Sequence, residues 1–576
     1  MNNKRNRTSL LRKFELVLPT SLLLCFALPL QAADPIDAGR LLREQPKSLP
    51  ALPGAPQQNI TPSAVEQNTA DTGAKVLVKA FQIEGATLIP VAELETQLQF
   101  AVGKELSLAQ LRGVAELLIA YHAQKGYLVQ VILPPQEIEG GVVHIKIIEG
   151  KRGSININNQ GKRANSARVQ AFIDYRLAQG EPMSLEKLGE AINILNEQPG
   201  IEVKTSLKPG AGEGETDLLV SANDKPLATF NFGLSNKGSR GTGELQAVAG
   251  VALNNPTGLF DLANVLVSKS QGSIFGSGDY SLAVGNSGLR AGISFSRLVY
   301  NVTQESLSAS DAHGTATTYG LKADYPLYLL NDRSLRLTGN LDAKYTRDAT
   351  IAGETGNRRI NLATLGLSGT QQDGFGGGGE TDFGAGLVVG HSKESNAAAI
   401  ATDSTTRQSI GTFGKLKFNL DRQQKITESW TLIAKLSGQF AFDNLDSTER
   451  FSLGGADGIR AYPSGEGGAD EGVLLSFNLV RPFTEKLQGT LFLDAGAVHV
   501  NKHTWAGWNS GNPNLDNVYS LAGIGASVDW KITDNIALSA TVATPIGSNP
   551  GRDTNGNDAD SRSQDVRGWI NLVGQF

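Results

Sequence analysis

The sequence predicts a closed outer-membrane β-barrel of about 16 antiparallel strands, with two small α+β domains and a short helix ahead of it. Three observations carry this reading. The chain opens on a secretory signal; residues 76–223 show one order of strands and helices twice; and over residues 224–576 apolar side chains alternate with small or polar ones between turn signals.

Composition narrows the function classes. In 576 residues, 57 acidic against 52 basic side chains give a net charge of -5, which offers no footprint for nucleic acid. No run of about 18 apolar residues follows the N-terminal segment, so a membrane must be crossed with strands. The 66 glycines have no G-x-y period and fit many strands and turns. The one cysteine, Cys25, lies in the N-terminal segment, so the mature chain is expected to hold no disulfide, no Cys-based metal site and no cofactor.

Lys4, Arg5, Arg7, Arg12 and Lys13 precede an apolar run over residues 16–30, and Leu30-Gln31-Ala32-Ala33 offers small residues for cleavage. This is the pattern of a signal peptide, residues 1–32. A membrane anchor fits less well, because Pro19 and Pro29 interrupt a run already shorter than the roughly 20 residues a bilayer needs. Leu24 is too bulky for a lipoprotein signal at Cys25.

Residues 36–45, IDAGRLLREQ, read as a short helix within a segment 33–48, and the prolines at 46, 50, 53, 56 and 62 mark a flexible linker, residues 49–75. The first α+β domain, residues 76–150, reads as a strand (VLVKAFQIEG), a helix with Leu94 and Leu98, a helix with Leu108, Leu111, Ala115 and Leu118 on one face, and two strands. The second, residues 151–223, repeats the plan: SININNQG, VQAFIDYRL, a helix begun by Ser184 with Leu185, Leu188, Ile192 and Leu195 on one stripe, then IEVKTSL and TDLLVSAN.

In the barrel region, 224–576, Leu432, Ala434, Leu436 and Phe440 share one parity while Thr431, Lys435, Ser437 and Gln439 share the other. The terminal GWINLVGQF places Ile570, Leu572 and Phe576 on the apolar parity. A soluble sandwich would alternate too. The signal peptide, strands of about ten residues, the wet-lumen character of the polar face and the terminal Phe576 favour a barrel, and roughly 20 to 24 residues per strand and turn give about sixteen strands.

With these residues in place, the mature chain resembles the two-partner secretion transporters (TpsB, the FhaC, ShlB and HecB type of haemolysin secretion/activation protein), in the superfamily that includes the BamA insertase. The resemblance is carried by Leu41-Leu42-Arg43-Glu44-Gln45 in the tethered helix, by Gly126-Tyr127-Leu128-Val129 leading to Leu133-Pro134-Pro135-Gln136, and by Asn254-Asn255-Pro256-Thr257-Gly258. Ile459-Arg460-Ala461-Tyr462 matches the family's Val-Arg-Gly-Tyr/Phe loop signature, and Phe492-Leu493-Asp494-Ala495-Gly496 its Phe-x-Asp-x-Gly strand signature. Ala461 departs from the usual Gly, which puts the shape of the loop tip in question.

The resemblance implies that the two domains are POTRA-like and periplasmic and that residues 33–48 form a plug helix, with Leu41, Leu42 and Glu44 as its marks. It also implies a loop lock built from Arg460, Tyr462, Phe492, Asp494 and Gly496, client recognition around Gly126, Tyr127, Pro134, Pro135 and Gln136, and Phe576 as the barrel's C-terminal signature. The partners expected are a TpsA-type exoprotein recognised unfolded through its N-terminal secretion domain, outer-membrane lipid, and the barrel assembly machinery, with the transporter a monomer.

Enzymatic readings are weaker. The six histidines form no H-E-x-x-H, and no G-x-S-x-G elbow occurs. Ser184-Leu-Glu-Lys187 spells S-x-x-K, but Ser184 stands where a helix needs its N-cap. The glycine run over residues 374–379 lacks the Lys-Ser/Thr of a phosphate loop and reads as a turn. The function expected is therefore export of a large haemolysin, adhesin or contact-dependent toxin without ATP, with a BamA-like insertase as the alternative; a passive porin would carry no periplasmic domains.

Overall fold

The computed structural model describes residues 36–52, 75–138, 140–304, 309–510 and 512–576. The signal peptide and most of the proline-rich linker lie outside the described residues. Helix α1 (Ala38–Arg43) comes first. The first domain holds β1 (Lys75–Leu77), β2 (Ala80–Glu84), α2 (Val91–Leu98), β3 (Glu105–Ser107), α3 (Leu108–Gln124), β4 (Val129–Ile132) and β5 (Val142–Glu149). The second holds β6 (Lys151–Asn159), α4 (Ser166–Arg176), α5 (Leu185–Glu197), β7 (Ile201–Pro209) and β8 (Glu215–Asp224).

The two domains share one sheet plan. The last strand lies in the middle, parallel to the first and antiparallel to the one before it, in the orders β2-β5-β4 and β6-β8-β7. Two details differ from the sequence reading. The run VLVKAFQIEG is two strands, because the chain changes partners at Val78 and Lys79, whose amides donate to Lys104 O (3.0 Å) and Gly141 O (2.7 Å). Leu108 and Leu185, each the first residue of its helix, are exposed, and the buried stripes are instead Leu111, Val114, Ala115 and Leu118 in α3 and Leu188, Ala191, Ile194 and Leu195 in α5. Ser107 and Ser184 are the N-caps, each accepting from the amide three residues on.

The repeat extends to one electrostatic device. Glu149, at the end of β5, accepts hydrogen bonds from the amides of Thr87 (2.5 Å) and Leu88 (2.6 Å) in the loop before α2. Asp224, at the end of β8, accepts from the amides of Lys162 (2.9 Å), Arg163 (3.1 Å) and Ala164 (2.9 Å) before α4. Partial burial favours the neutral form of both carboxyls, but the hydrogen bonds outweigh it and hold both below the usual carboxylate range.

The barrel strands follow in order: β9 (Ala228–Ser235), β10 (Gln246–Asn254), β11 (Leu262–Lys269), β12 (Ser273–Ala283), β13 (Arg290–Asn301), β14 (His313–Leu329), β15 (Arg333–Thr350), β16 (Gly353–Asp373), β17 (Gly379–Glu394), β18 (Gly411–Lys425), β19 (Thr431–Ala441), β20 (Glu471–Pro482), β21 (Leu487–His499), β22 (Val518–Thr533), β23 (Ile536–Ile546) and β24 (Arg567–Gln575). Each pairs antiparallel with the next, and β24 closes on β9. Helix α6 (Ala397–Thr405) stands in the loop between β17 and β18.

The outward parity is apolar. Leu321, Leu365, Val389, Leu491 and Ile570 are exposed there, and Phe295, Tyr319 and Tyr345 form a ladder across three strands with centroids 5.3 and 6.2 Å apart. An apolar surface of this extent suits lipid and not water. Phe576 closes the ring: it exchanges backbone hydrogen bonds with Phe230 (2.8 and 2.9 Å) and stacks on Phe232.

Two expectations follow. A charge on the lipid face near the bilayer midplane costs about 2 to 4 kcal/mol, so Leu572→Arg should impair assembly while the inward Asn571→Lys should not; heat-modifiable gel mobility reads the difference. Asp224→Asn should raise local opening of α4 and β6 at pH 7, measured by hydrogen exchange on the full chain in detergent, by about 1–2 kcal/mol. Because the folded-state carboxyl titrates below its ordinary value, its stabilisation is complete above that value and fades as pH falls through the folded-state value, so wild type and variant should converge in acid.

Candidate functional site

The barrel interior is occupied by two pieces that are not wall. The first is the loop between β19 and β20, residues 442–470, which folds into the lumen and buries Leu453, Ile459, Ala461, Tyr462 and Ala469 against Phe492, Leu521 and Ala543. It carries its own short pairings, Phe451 with Ala469 and Gly454 with Ile459.

The tip is clamped by one side chain. Alternation along β21 turns Leu491 and Leu493 outward and Phe492 and Asp494 inward. Asp494, fully buried, accepts from Arg460 Nη2 (2.7 Å), Nε (2.9 Å) and backbone N (3.1 Å), and from Ser476 Oγ (2.7 Å). Arg460 Nη2 also donates to Asn478 Oδ1 (2.8 Å), and the guanidinium lies 3.4 Å from the centroid of Phe492. The planar fork, the carboxylate and the ring together satisfy the arginine in a way no lysine could.

The remaining signature residues have steric reasons. A Cβ on Gly496 would stand 2.8 Å from Val473 O and strike Leu453 of the loop, so glycine is what lets the loop lie against β21. Tyr462 is fully buried in the same cluster. Ala461 is accommodated without positive φ, and the room comes from the wall: a Cβ on Gly523 of β22 would be 2.5 Å from that of Ala461. The extra methyl at 461 is matched by a missing one at 523.

A second anchorage holds the start of the loop. Glu449, buried, pairs with Lys415 (2.7 Å) and Lys344 (2.5 Å) of the wall, and Asp446 pairs with Arg358 (3.0 Å). Buried charges persist because each is paired; stripping one partner would leave an uncompensated ion.

The second piece is α1. Asp37 caps it by accepting from Arg40 N (2.8 Å), and Ala38 N donates to Asp348 Oδ1 on β15 (2.8 Å), which also accepts from Tyr300 (2.6 Å). Leu41 is fully buried among Leu266, Phe275, Leu298 and Tyr300, with Leu42 packed beside it. Glu44 takes Arg40 Nε (3.1 Å), which orients that arginine so that Nη2 reaches Ser464 O of the loop (3.1 Å). Arg43 donates to Arg450 O (2.8 Å), and a Cβ on Gly39 would meet Thr448 N at 2.8 Å. The helix thus rests on the wall by apolar contact and the Ala38–Asp348 hydrogen bond, and on the loop by hydrogen bonds.

At the module end of the barrel, the five residues singled out around 126–136 fall into two groups. Gly126 O accepts from Leu185 N (2.9 Å) and Tyr127 bridges to Ser184, so this backbone joins the two domains. Beyond β4, Pro134 and Pro135 end the pairing, and the Gln136 side chain takes the place of a strand, donating to His144 O (2.8 Å) and accepting from His144 N (2.7 Å). The outer edges of β2 and β4 have no strand beside them among the described residues.

Sequence reading missed Phe260. The Asn254–Gly258 run is the first barrel turn at this end, and Phe260, held with positive φ and its amide on Asn255 Oδ1 (2.7 Å), enters the core of the second domain edge-on to Phe172. Its signal was an aromatic residue straight after a turn sequence, off the barrel's alternation. Gly39, Asp348 and Glu449 gave no signal, since their partners lie hundreds of residues away or across the lumen.

Arg460→Ala or Asp494→Ala should leave an assembled barrel whose loop is cut faster by added protease and whose single-channel conductance differs from wild type. Breaking such a pair costs about 3 to 5 kcal/mol when buried, and less where water reaches the lumen. Ala461→Gly should match wild type in both readouts.

The model of the haemolysin secretion/activation protein family ShlB/FhaC/HecB matches residues 214–528, and that of the ShlB-type POTRA domain matches residues 76–150. The heme/hemopexin transporter protein HuxB of Haemophilus influenzae is 25% identical over 569 residues, 95% of this chain and 96% of that protein. The outer membrane transporter CdiB of Escherichia coli is 24% identical over 522 residues, 84% of each. The solved structure of Escherichia coli CdiB superposes with a TM-score of 0.69 at 19% identity, covering 90% of this chain and 93% of that one. With its sixteen-strand barrel, its POTRA domains and its inward loop, the chain belongs to the ShlB/FhaC/HecB family of haemolysin secretion/activation proteins, outer-membrane transporters of two-partner secretion.

Proposed function

We propose that this transporter recognises a single large exoprotein through its POTRA domains and passes it, unfolded, through the barrel without ATP. The observation that carries the proposal is that the lumen is filled by a helix and a loop, both detachable without breaking any pairing of the wall. The periplasm supplies no nucleotide, so binding at the domains and folding of the cargo outside must give passage its direction. An extended client gains main-chain hydrogen bonds by adding a strand to an open edge, and the edge of β4 next to the Gln136 cap is the edge we assign to it. The transporter acts as a monomer in outer-membrane lipid, placed there by the barrel assembly machinery.

HuxB and CdiB carry transporter names of different kinds, heme/hemopexin in one case and outer membrane transporter in the other. The cargo here is a haemolysin, adhesin or contact-dependent toxin of the TpsA type, bearing an N-terminal secretion domain.

Because Phe260 completes the second domain's core, tests should use the full chain. Cysteines replacing Ala38 and Asp348 should form a disulfide that holds α1 in place; secretion of the exoprotein should stop under oxidation and return on reduction. Deleting residues 34–48 should raise conductance in planar bilayers and leave secretion largely intact. Secretion indifferent to the disulfide would refute export through the lumen.

A further inference from the structure

Beneath α1, a chamber of about 920 Å³ remains open between the helix, the loop and the wall. Its size is at the upper end of ordinary ligand sites, about 300–1,000 Å³. Ser, Thr and Gly supply much of its lining, and its charge is one-sided. Five lysines line it, at 47, 322, 344, 415 and 417, with Arg43 and Arg450, against two carboxylates, Asp279 and Glu449.

The pairings leave a surplus. Lys322 is spent on Asp279 (2.9 Å), and Lys344 and Lys415 share Glu449. Among the described residues, Lys47 and Lys417 have no carboxylate partner, and both are exposed to the chamber. Lys417 comes from the inward parity of β18, one step along from the buried Lys415; Lys47 comes from the segment after α1. The two free ammonium groups therefore arrive from opposite sides, wall and plug, in a chain whose overall charge is negative. A low-dielectric wall around like charges concentrates their field on the enclosed water.

We propose that this chamber is a carboxylate-binding site on the export path, which receives acidic stretches of an extended polypeptide. This rests on the reading of the lumen as that path. Recognition is by charge, as in pores ringed by Lys or Arg that favour anions. Lys47 adds a further role. No carboxylate lies within ion-pair distance of Lys47 among the described residues, so acidic cargo draws on the plug segment and the wall together.

The test is electrical and uses the full-length protein in planar bilayers. Under a KCl gradient the wild-type reversal potential should indicate preference for chloride, and Lys417→Glu should shift it toward potassium, with Lys417→Gln between. An oligoglutamate peptide added from the POTRA side should block current at lower concentration than an oligolysine of equal length, and Lys417→Glu should reverse that order. Heat-modifiable mobility identifies variants that have not assembled, and Lys47→Glu then repeats the test from the plug side. Equal block by the two peptides, or a reversal potential unmoved by both Glu variants, overturns the proposal. If that happens while the Ala38/Asp348 disulfide still controls secretion, export through the lumen stands and only the acidic chamber falls.

Discussion

A ring of sixteen strands encloses more space than its own inward side chains can fill. Every feature of the lumen answers that constraint. The wall presents small and polar residues inward, and the volume left over is taken by a loop of the same chain and by a helix from its other end. The filling must be held, yet it is not part of the hydrogen-bonded ring.

The way it is held differs along the lumen. Near the loop tip, Arg460 is bound by a carboxylate, a hydroxyl, an amide oxygen and a ring, and Trp569 of β24 donates to its carbonyl (2.8 Å). At the start of the loop, Glu449 and Asp446 spread the load over wall cations. Such buried charged contacts are costly to break unless water or another polar chain takes over the pairing, a substitution that a dry apolar core could not use. The helix leans on the loop through Arg40 and Arg43, so loosening the loop takes away much of what retains the helix. Loop and helix are therefore held to each other as well as to the wall.

Much of the architecture was legible in the sequence because it is written in local periodicity. Alternation of period two marked the barrel region and its last strand, and length divided by strand spacing gave the count. The repeat of the two domains was visible for the same reason. Family likeness supplied what periodicity could not, the pairing of residues 460 and 494 across a loop. What neither supplied depends on fit in three dimensions: the Gly39 contact with residue 448, the match of Ala461 to Gly523, and the division of the 126–136 segment between a domain joint and a capped strand end. Leu108 and Leu185 were misplaced because a helix's first residue shares the period of its stripe without having a neighbour to cover it.

Phe260 has a consequence for the order in which the chain matures. The ring belongs to the barrel by sequence and to the second POTRA domain by packing, where it is wholly enclosed. Burying such a side chain is worth about 1.5–3 kcal/mol, so the domain emerging first from synthesis is short of its full stability until the hairpin of β10 and β11 reaches it. Domain and hairpin ripen together. The periplasmic domain that meets the membrane is then a softer object than the one that remains there, and the barrel's first turn acts as the keystone that sets it.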